Sequence, residues 1–286
     1  MSGRAAGRFF SGRDPLGIAG LGILAAFVLL GMLAPSLAPY DPQAMHLHDD
    51  GRLKRMEPPS WNPLLGTTRL GRDVLSQVVV GTRATLAIGL LAAGCSTILG
   101  TIIGLVSGFY RGAIDSVLMR LADIVYGIPF VPFAMVMVAL VGPQAWVLVV
   151  AIVVITWKST ARAVRAQVLS LRERPFVEAA RVGGASSLRI MFVHIGPNVL
   201  GIAIVYAVTT TGWAILSEAS VSFLGYGDPH LITWGKMLYE AFVAQAMRTA
   251  WWWVFPPGGA IALLVLGIFL VGRMLEELVN PRIREW

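Results

Sequence analysis

Few side chains of this 286-residue sequence are arranged as a chemical site. His46 and His48 are separated by one residue and lie next to Asp49 and Asp50. Such spacing in a hydrophilic stretch does not fix the coordination geometry of a metal. No Gly-x-x-x-x-Gly-Lys-Ser/Thr segment is present, so the chain lacks the loop that cradles nucleotide phosphates. No spacing of Ser, His and Asp indicates a nucleophile. The sequence therefore predicts no catalytic residue, no metal ligand and no cofactor bound by this chain.

Three residues in or directly beside apolar stretches are the other candidates for a functional role. Ionisable residues at membrane depth usually face a bundle interior or an aqueous path. Glu218 could therefore line a substrate route, or it could hydrogen-bond Ser220 or Ser222 and hold an outer gate. Pro129 and Pro132 can kink the helix that contains them and free backbone carbonyls towards a cavity. We expect the kink, and its participation in gating is a hypothesis.

The elements that position these residues are predicted to be membrane-spanning helices. Hydrophobic residues make up 56% of the chain and charged residues 14%, with a mean hydropathy of +0.71, which is too apolar for a soluble domain. Five stretches contain no Asp, Glu, Lys or Arg: Pro15–Tyr40, Ala84–Tyr110, Ile124–Trp157, Ile190–Ser217 and Thr249–Gly272. Each exceeds the roughly 20 residues that cross a bilayer.

The third of these stretches is predicted to hold two helices. As one helix it would be about 51 Å long, well beyond a hydrocarbon core of about 30 Å. Gly142 and Pro143 form a turn signal inside it. We therefore divide this region into Asp115–Val141 and Gln144–Ala161. The sequence thus predicts an all-α polytopic membrane protein with six transmembrane helices.

The six predicted spans divide the chain unevenly. Residues 1–14 form a tail before the first span, residues 15–40. A cleaved secretion signal is the less favoured alternative, because the apolar stretch exceeds the 7–15 residues typical of a signal core. Residues 41–83 are predicted to form a hydrophilic external loop with an interfacial helix. Residues 84–286 contain the other five spans, with a long cytoplasmic connection at 162–197.

Basic residues predict the orientation of the spans. They concentrate before the first span, after the fourth and after the sixth: Arg4, Arg8, Arg13, Lys158, Arg162, Arg165, Arg172, Arg174, Arg181, Arg189, Arg273, Arg282 and Arg284. With six spans these regions share one side, which the positive-inside rule makes cytoplasmic, and both termini lie there. The basic residues of the loop at 41–83 run against the rule, but a loop of this length constrains topology weakly.

The formal net charge of +7 follows from this topological pattern. Aromatic residues do not interleave with a basic patch, as binding to single-stranded nucleic acid would require. We therefore predict a lipid bilayer as the surroundings of the chain and no nucleic-acid partner.

The cytoplasmic connection is too long for an ordinary loop, and segments of that length are normally functional. Pro175 suits the first turn of a helix that continues to Arg181. Gly183 and Gly184 then break that helix. Two interpretations are open from the residues alone. The helix could be a small knob that a partner protein approaches closely, or the connection could be a solvated basic loop that only fixes orientation.

The residues of this connection closely resemble a known motif, the EAA loop of ABC-importer permeases. The matching residues are Glu178, Ala179 and Ala180, then Gly184 after three residues, and later Ile195 and Pro197. Gly196 stands where leucine is usual in the family. The spacing of the match is specific, and it places the chain beside the permease subunits of binding-protein-dependent importers.

The likeness extends over almost the whole chain. Further segments similar to the dipeptide, oligopeptide and nickel subfamily are Asp14–Pro42, Leu65-Gly66-Thr67, Leu70-Gly71-Arg72-Asp73-Val74, Leu216–Gly225, Trp234-Gly235 and Asn280-Pro281-Arg282. In the last of these, asparagine replaces the usual aspartate. The chain thus resembles the C-type partner of a two-permease importer, which implies the type I ABC-importer permease fold.

The resemblance implies that this chain is not an enzyme and couples to a separate ATPase. The implied coupling residues are Glu178, Ala179, Ala180, Arg181, Gly183, Gly184, Ile195 and Pro197. Glu178 and Arg181 would make polar contacts, Ala179 and Ala180 would fit a groove on the ATPase, and the two glycines would provide a pivot. For Glu218 the resemblance favours the structural role, because the Glu-Ala-Ser run is general in the subfamily.

The implied partners are a second homologous permease subunit, two ABC ATPase subunits that bind ATP and Mg, and an external substrate-binding protein. The implied location is the inner, or cytoplasmic, membrane of a prokaryote. Di- or oligopeptides are the expected substrate, and nickel, glutathione and oligosaccharides are alternatives within the same importer class. A secondary transporter is less favoured, because neither ion-pairing carboxylates near mid-membrane nor inverted repeats are evident.

Overall fold

The computed structural model describes residues 14–279, and helices dominate that part of the chain. In chain order they are α1 (Pro15–Leu37), α2 (Val74–Tyr110), α3 (Gly112–Tyr126), α4 (Phe130–Val141), α5 (Ala145–Leu171), α6 (Pro175–Val182), α7 (Ser187–Tyr226), α8 (Trp234–Val243) and α9 (Trp251–Val279). Because residues 14–279 contain no β-strand, the all-α prediction is confirmed. The rest of the predicted tail and the Asn280-Pro281-Arg282 segment lie outside the described residues.

Six passes connect the two ends of the helical body. Five of the helices, α1, α2, α5, α7 and α9, are long and apolar enough to cross a bilayer, and α3 with α4 forms a sixth candidate bent by 90°. The carboxylate of Asp14, before α1, accepts a hydrogen bond from Arg273, in the last turns of α9, at 3.0 Å. The first and last helices therefore meet at the same end of the body. A chain that enters and leaves the body at the same end crosses it an even number of times. The candidate spans therefore number six, as predicted.

We name the two ends of the body by what they carry. The α6 end carries α6 and the connection between α2 and α3. The loop end carries residues 38–73, α8 and the turn at Gly142, which leads into α5. There the backbone N–H of Ala145 donates to the carboxylate of Asp228 at 3.0 Å.

The prolines of the third span break it more sharply than the sequence suggested. A single helix over Asp115–Val141 is wrong in detail, because the chain turns by 90° between Tyr126 and Phe130. Pro129 occupies the N-cap of α4, and Pro132 lies in its first turn. Backbone N–H groups at those positions have no partner within a helix, so proline is tolerated there. The expected kink is present, and its part in gating stays a prediction.

Residues 38–73 differ from the predicted loop in two respects. In place of an interfacial helix they form turns and two isolated bridges, Leu47 with Leu53 and Thr67 with Asp73. Helix α2 also begins at Val74, ten residues before the predicted boundary at Ala84. Asp73 sets this start, because its side chain accepts a hydrogen bond from the N–H of Ser76 at 2.7 Å and caps the helix.

Residues 38–73 pack against α9, and Gly66 approaches Trp252 of that helix closely. Gly66 has a φ of +67°, and a Cβ there would lie 2.8 Å from the ring of Trp252 and against the carbonyl of Glu57. Trp252 also donates from its indole to the carbonyl of Thr67 at 3.3 Å. Only glycine fits such a position, which explains the Leu65-Gly66-Thr67 segment physically.

Helix α8 is anchored at the loop end by Trp234. This side chain is fully buried, its indole donates to the carbonyl of Val78 in α2 at 3.0 Å, and its ring packs edge-on against Phe27 of α1. A Cβ at Gly235 would lie 2.6 Å from the Cα of Ala219, so α8 touches the backbone of α7. The Trp-Gly pair therefore positions α8 against three spans.

A stripe of glycines brings α2 and α5 into backbone contact. A Cβ at Gly100 would lie 2.5 Å from the carbonyl of Trp157, one at Gly104 would lie 2.6 Å from the carbonyl of Ala161, and one at Gly108 would lie 2.8 Å from Val168. In a membrane, where apolar side chains gain little from leaving lipid, such small residues allow the close packing that holds helices together.

We predict that Gly104→Leu prevents α2 and α5 from packing, because its side chain would overlap the backbone of α5. The amount of monodisperse protein in size-exclusion chromatography should fall about fivefold or more. Gly94→Leu is the matched control, since nothing lies within 4 Å of a Cβ there. Equal yields from the two variants would contradict the packing role of the stripe.

Candidate functional site

Helix α6 projects from the body and is held by one buried side chain. Pro175 occupies its first turn, as predicted, and Val177 is fully buried. Glu178, Ala179 and Arg181 are exposed. An isolated helix of eight residues is unstable in water, so tertiary contact must hold α6 in shape. Burying the Val177 side chain contributes about 1.5–3 kcal/mol to that contact.

The hydrophobic cluster around Val177 joins four helices. Its buried members come from α2, α5, α6 and α7: Leu105, Val164, Val168, Val177, Ile190, Met191, Ile195 and Val199. Ala180 and Ala185 pack against the same cluster. Side chains in such a cluster interdigitate at near-crystalline density, so a displacement of α6 is passed to the helices around it. We call these eight residues the coupling cluster.

The two glycines end α6 with a Schellman cap. Gly184 has a φ of +76°, and its N–H donates to the carbonyl of Arg181 at 3.1 Å, while Ala185 donates to Ala180 at 3.0 Å. The capped turn brings Ala180 and Ala185 together against the coupling cluster. The predicted break at the glycines is confirmed, and its physical cause is the left-handed conformation of Gly184.

Polar contacts hold the connection between α5 and α6 against the end of α2 and the start of α3. Arg172 donates to the carbonyl of Phe109 at 2.6 Å, and Glu173 forms an ion pair with Arg111 at 2.9 Å. About two turns earlier in α5, Arg165 makes two hydrogen bonds of 2.6 Å to the carboxylate of Asp115. Bidentate pairs of this kind fix geometry as well as charge. Basic residues of this region, predicted to determine orientation, therefore also make structural contacts at the α6 end.

The last two motif residues lie where α7 begins. Ile195 is fully buried in the coupling cluster, and Pro197, two residues later in the first turn of the α-helical part, is exposed. Since proline lacks an N–H, it cannot continue the regular hydrogen-bond ladder, and residues Ile190–Ile195 adopt a π-helical form. The side-chain amide of Asn198 satisfies the carbonyl of His194 at 2.7 Å.

The exposed face of α6 contains two apolar side chains that sequence reasoning missed. Val182 is 85% exposed and Phe176 is 40% exposed. They flank Ala179, whereas Ala180 is half-buried on the opposite, inward face. Of the two alanines expected to meet a groove, the structure therefore presents Ala179 outward. The pattern that could have shown this is the helical spacing of Val177 and Ala180, which share one face.

Glu218 lies at the loop end, far along α7 from the coupling cluster. It is 1% exposed, and its carboxylate accepts a hydrogen bond from the hydroxyl of Ser222 at 2.7 Å. Thr233, which caps α8, lies close enough to interact with the same carboxyl. A carboxyl buried to this degree reaches no aqueous path in this conformation, so the geometry favours the structural alternative.

The paired histidines of the loop are separated by the fold. The Nε2 atom of His48 lies 2.6 Å from the carboxylate of Glu57, and His46 packs edge-on against Tyr40. Over the part of the chain that the structure describes, no group of three or more His, Cys, Asp or Glu side chains could hold a metal ion.

Comparison with known proteins identifies the family. Residues 100–285 match the family described as binding-protein-dependent transport system inner membrane component, and residues 5–59 match the N-terminal TM domain of oligopeptide transport permease C. The dipeptide transport system permease protein DppC of Alkalihalophilus pseudofirmus is 35% identical over 95% of this chain and 88% of its own length.

Two further relatives have the same kind of name. The di/tripeptide transport system permease protein DppC of Pseudomonas aeruginosa is 37% identical over 93% of this chain and 88% of its own length. The oligopeptide transport system permease protein OppC of Bacillus subtilis is 33% identical over 95% of this chain and 87% of its own length. The resemblance read from the motifs is therefore confirmed. This multi-pass membrane protein belongs to the family of binding-protein-dependent transport system inner membrane components.

Proposed function

We propose that this chain is a permease subunit of a peptide importer and that α6 is its contact with a separate ATPase. The observation that carries the proposal is the construction of α6. One side chain, Val177, ties it into the coupling cluster, while the outward face offers Ala179 between Phe176 and Val182. A small residue flanked by apolar ones suits a groove on a partner protein, and the charges of Glu178 and Arg181 lie beside it.

The complete importer would contain four kinds of component. Besides this chain there would be a second homologous permease, two ATPase subunits that bind ATP and Mg, and an external substrate-binding protein. The α6 end would face the cytoplasm of a prokaryotic cell, in line with the basic residues at that end, and the loop end would face outward. The chain would supply half of the translocation pathway.

Peptides are the substrate class that the relatives support. The three relatives described above are named for dipeptide, di/tripeptide or oligopeptide transport. Nickel, glutathione and oligosaccharides remain alternatives within the same importer class. Burial of the Glu218 carboxylate and its hydrogen bond from Ser222 argue against a direct contact with substrate.

Closure of the ATPases would move α6, and the coupling cluster would pass that movement to α2, α5 and α7. Because α2 and α5 are in backbone contact through the glycine stripe, they would move as one unit. Helix α7 crosses the whole body from the coupling cluster to Glu218. A displacement at the α6 end can thus alter the loop end without any flexible connection between them.

The function is tested by replacing the outward alanine of α6. Ala179→Trp should exclude the ATPase from its groove, so that copurification of the ATPase and ATP-dependent peptide uptake in proteoliposomes fall about tenfold or more. The side chain at 179 is exposed, so the amount of folded permease should not change. Ala179→Ser, which stays small, is the control. Normal ATPase recovery and uptake with tryptophan would refute the proposed contact.

A structural role for Glu218 makes a separate prediction. Glu218→Ala leaves the Ser222 hydroxyl and the cap of α8 without a buried partner. We expect the free energy of unfolding to fall by about 1–3 kcal/mol. The melting temperature of the purified importer should fall by several degrees. Glu218→Gln keeps the size and one acceptor, so its melting temperature should fall less. Unchanged stability of Glu218→Ala together with lost peptide uptake would instead support a substrate contact.

A further inference from the structure

A small polar cavity of about 180 Å³ lies at the loop end, between α8 and the residues around the start of α2. Its polar lining includes Gln43, Arg72, Gln77, His230, Lys236 and Glu240. A second cavity of about 800 Å³ adjoins it, with mostly apolar walls from α2 and α5, and Gln43 and His230 line both. The two cavities therefore share part of their walls, and we call the smaller, polar one the recess.

The recess contains cationic groups with unused hydrogen-bonding capacity. Among residues 14–279 the guanidinium of Arg72 makes no hydrogen bond or ion pair, and its Nε atom is buried. The ammonium of Lys236 donates to the carbonyls of Pro229 at 2.5 Å and Leu231 at 3.0 Å, which leaves one of its three hydrogens. Both cations are half-buried, and removing a charge from water without an opposite charge is costly, so this arrangement suits an anionic ligand.

The nearby carboxylates of Asp228 and Glu240 act on these cations only at a distance, and neither forms an ion pair with them among residues 14–279. Asp228 is already engaged, because its carboxylate accepts hydrogen bonds from the backbone N–H groups of Ala145 and His230 at 3.0 and 2.9 Å. Glu240 lines the recess but makes no ion pair within 4 Å to Arg72 or Lys236 in the part of the chain described. Burial raises the pKa of the Glu240 carboxyl and lowers the pKa of the Lys236 ammonium.

An unused acceptor completes the recess. Gln77 is 2% exposed, and its side-chain nitrogen donates to the carbonyl of Pro42 at 3.2 Å. Its Oε1 atom has no hydrogen-bond donor among the described residues. A ligand that brings a carboxylate for the cations and an N–H for this oxygen would satisfy both sides. The last residue of a peptide carries both groups.

We propose that this recess receives the C-terminal carboxylate of the peptide as it enters the permease, with Arg72 and Lys236 as the binding residues. The proposal rests on the proposed peptide function and on an outward-facing loop end. A volume of about 180 Å³ equals about six water molecules at ~30 Å³ each, so one small terminal residue fits. The rest of the peptide would occupy the larger apolar cavity. Since every peptide ends in a carboxylate, such recognition is independent of sequence.

The first test measures uptake of labelled dialanine by the complete importer, with its binding protein and ATPases, in proteoliposomes. Arg72→Gln and Lys236→Gln should each lower the uptake rate about tenfold, as expected for loss of one charged hydrogen bond. Arg72→Lys, which keeps the charge, should lose less than Arg72→Gln. Arg69→Gln, at an exposed arginine outside the recess, is the control and should transport like the parent.

The second test measures binding without transport. N-acetyl-dialanine and its C-terminal amide differ only at the carboxylate, and each is titrated to tens of millimolar against the purified permease–ATPase complex. The acid should raise the melting temperature of the complex and the amide should not, since stabilisation follows ligand occupancy. Arg72→Gln should abolish the difference between the two ligands. This readout also separates a ligand contact from a merely structural role of Arg72.

Two results would overturn the proposal: full uptake by both glutamine variants, or equal effects of the acid and the amide on the parent complex. A variant that fails to assemble is replaced by its charge-keeping counterpart, Arg72→Lys or Lys236→Arg, which must then retain the preference for the acid. Failure of the parent importer to take up dialanine or trialanine would instead refute the proposed peptide function. The two failures are therefore distinguishable.

Discussion

The burial of Val177 is the contact on which the proposed coupling to an ATPase depends. Without it, α6 would be an eight-residue segment with no reason to stay helical or to keep its direction. With it, the segment becomes a rigid projection of the coupling cluster, whose members belong to three spans. The Schellman cap at Gly184 and the ion pair between Glu173 and Arg111 complete the attachment at either side. A force applied to α6 therefore acts on α2, α5 and α7 together.

The two ends of the body are connected through α7. This helix starts in the coupling cluster, where Pro197 and the π-helical turn shape its first residues, and it contacts α8 at Ala219, near its other end. Helix α8 carries Lys236 and Glu240 of the polar recess. A shift of α7 along its axis would thus change the recess, since the backbones of α7 and α8 touch at Gly235. This arrangement relates the proposed ATPase contact to the proposed peptide contact through one continuous element.

Sequence reasoning succeeded where a local signal decides the structure. The absence of charge marked the spans, Pro175 and Gly184 marked the ends of α6, and Gly142 marked the turn before α5. It failed at the start of α2, where Asp73 caps the helix ten residues before the boundary that Arg83 suggested. The outward direction of Ala179 was missed, although the spacing of Val177 and Ala180 indicates it. The pairing of Arg165 with Asp115 and the recess around Arg72 could not be predicted, because they depend on neighbours remote in sequence.

The ratio of peptide uptake to ATP hydrolysis in a Val177→Ala importer tests the central claim most directly. Removing two buried methyl groups loosens α6 without altering its outward face, so assembled complexes should still hydrolyse ATP while uptake per ATP falls about threefold or more. The measurement uses complexes selected for a full complement of ATPase. If uptake per ATP equals that of the parent, the coupling cluster does not transmit the movement of α6, and the account is wrong.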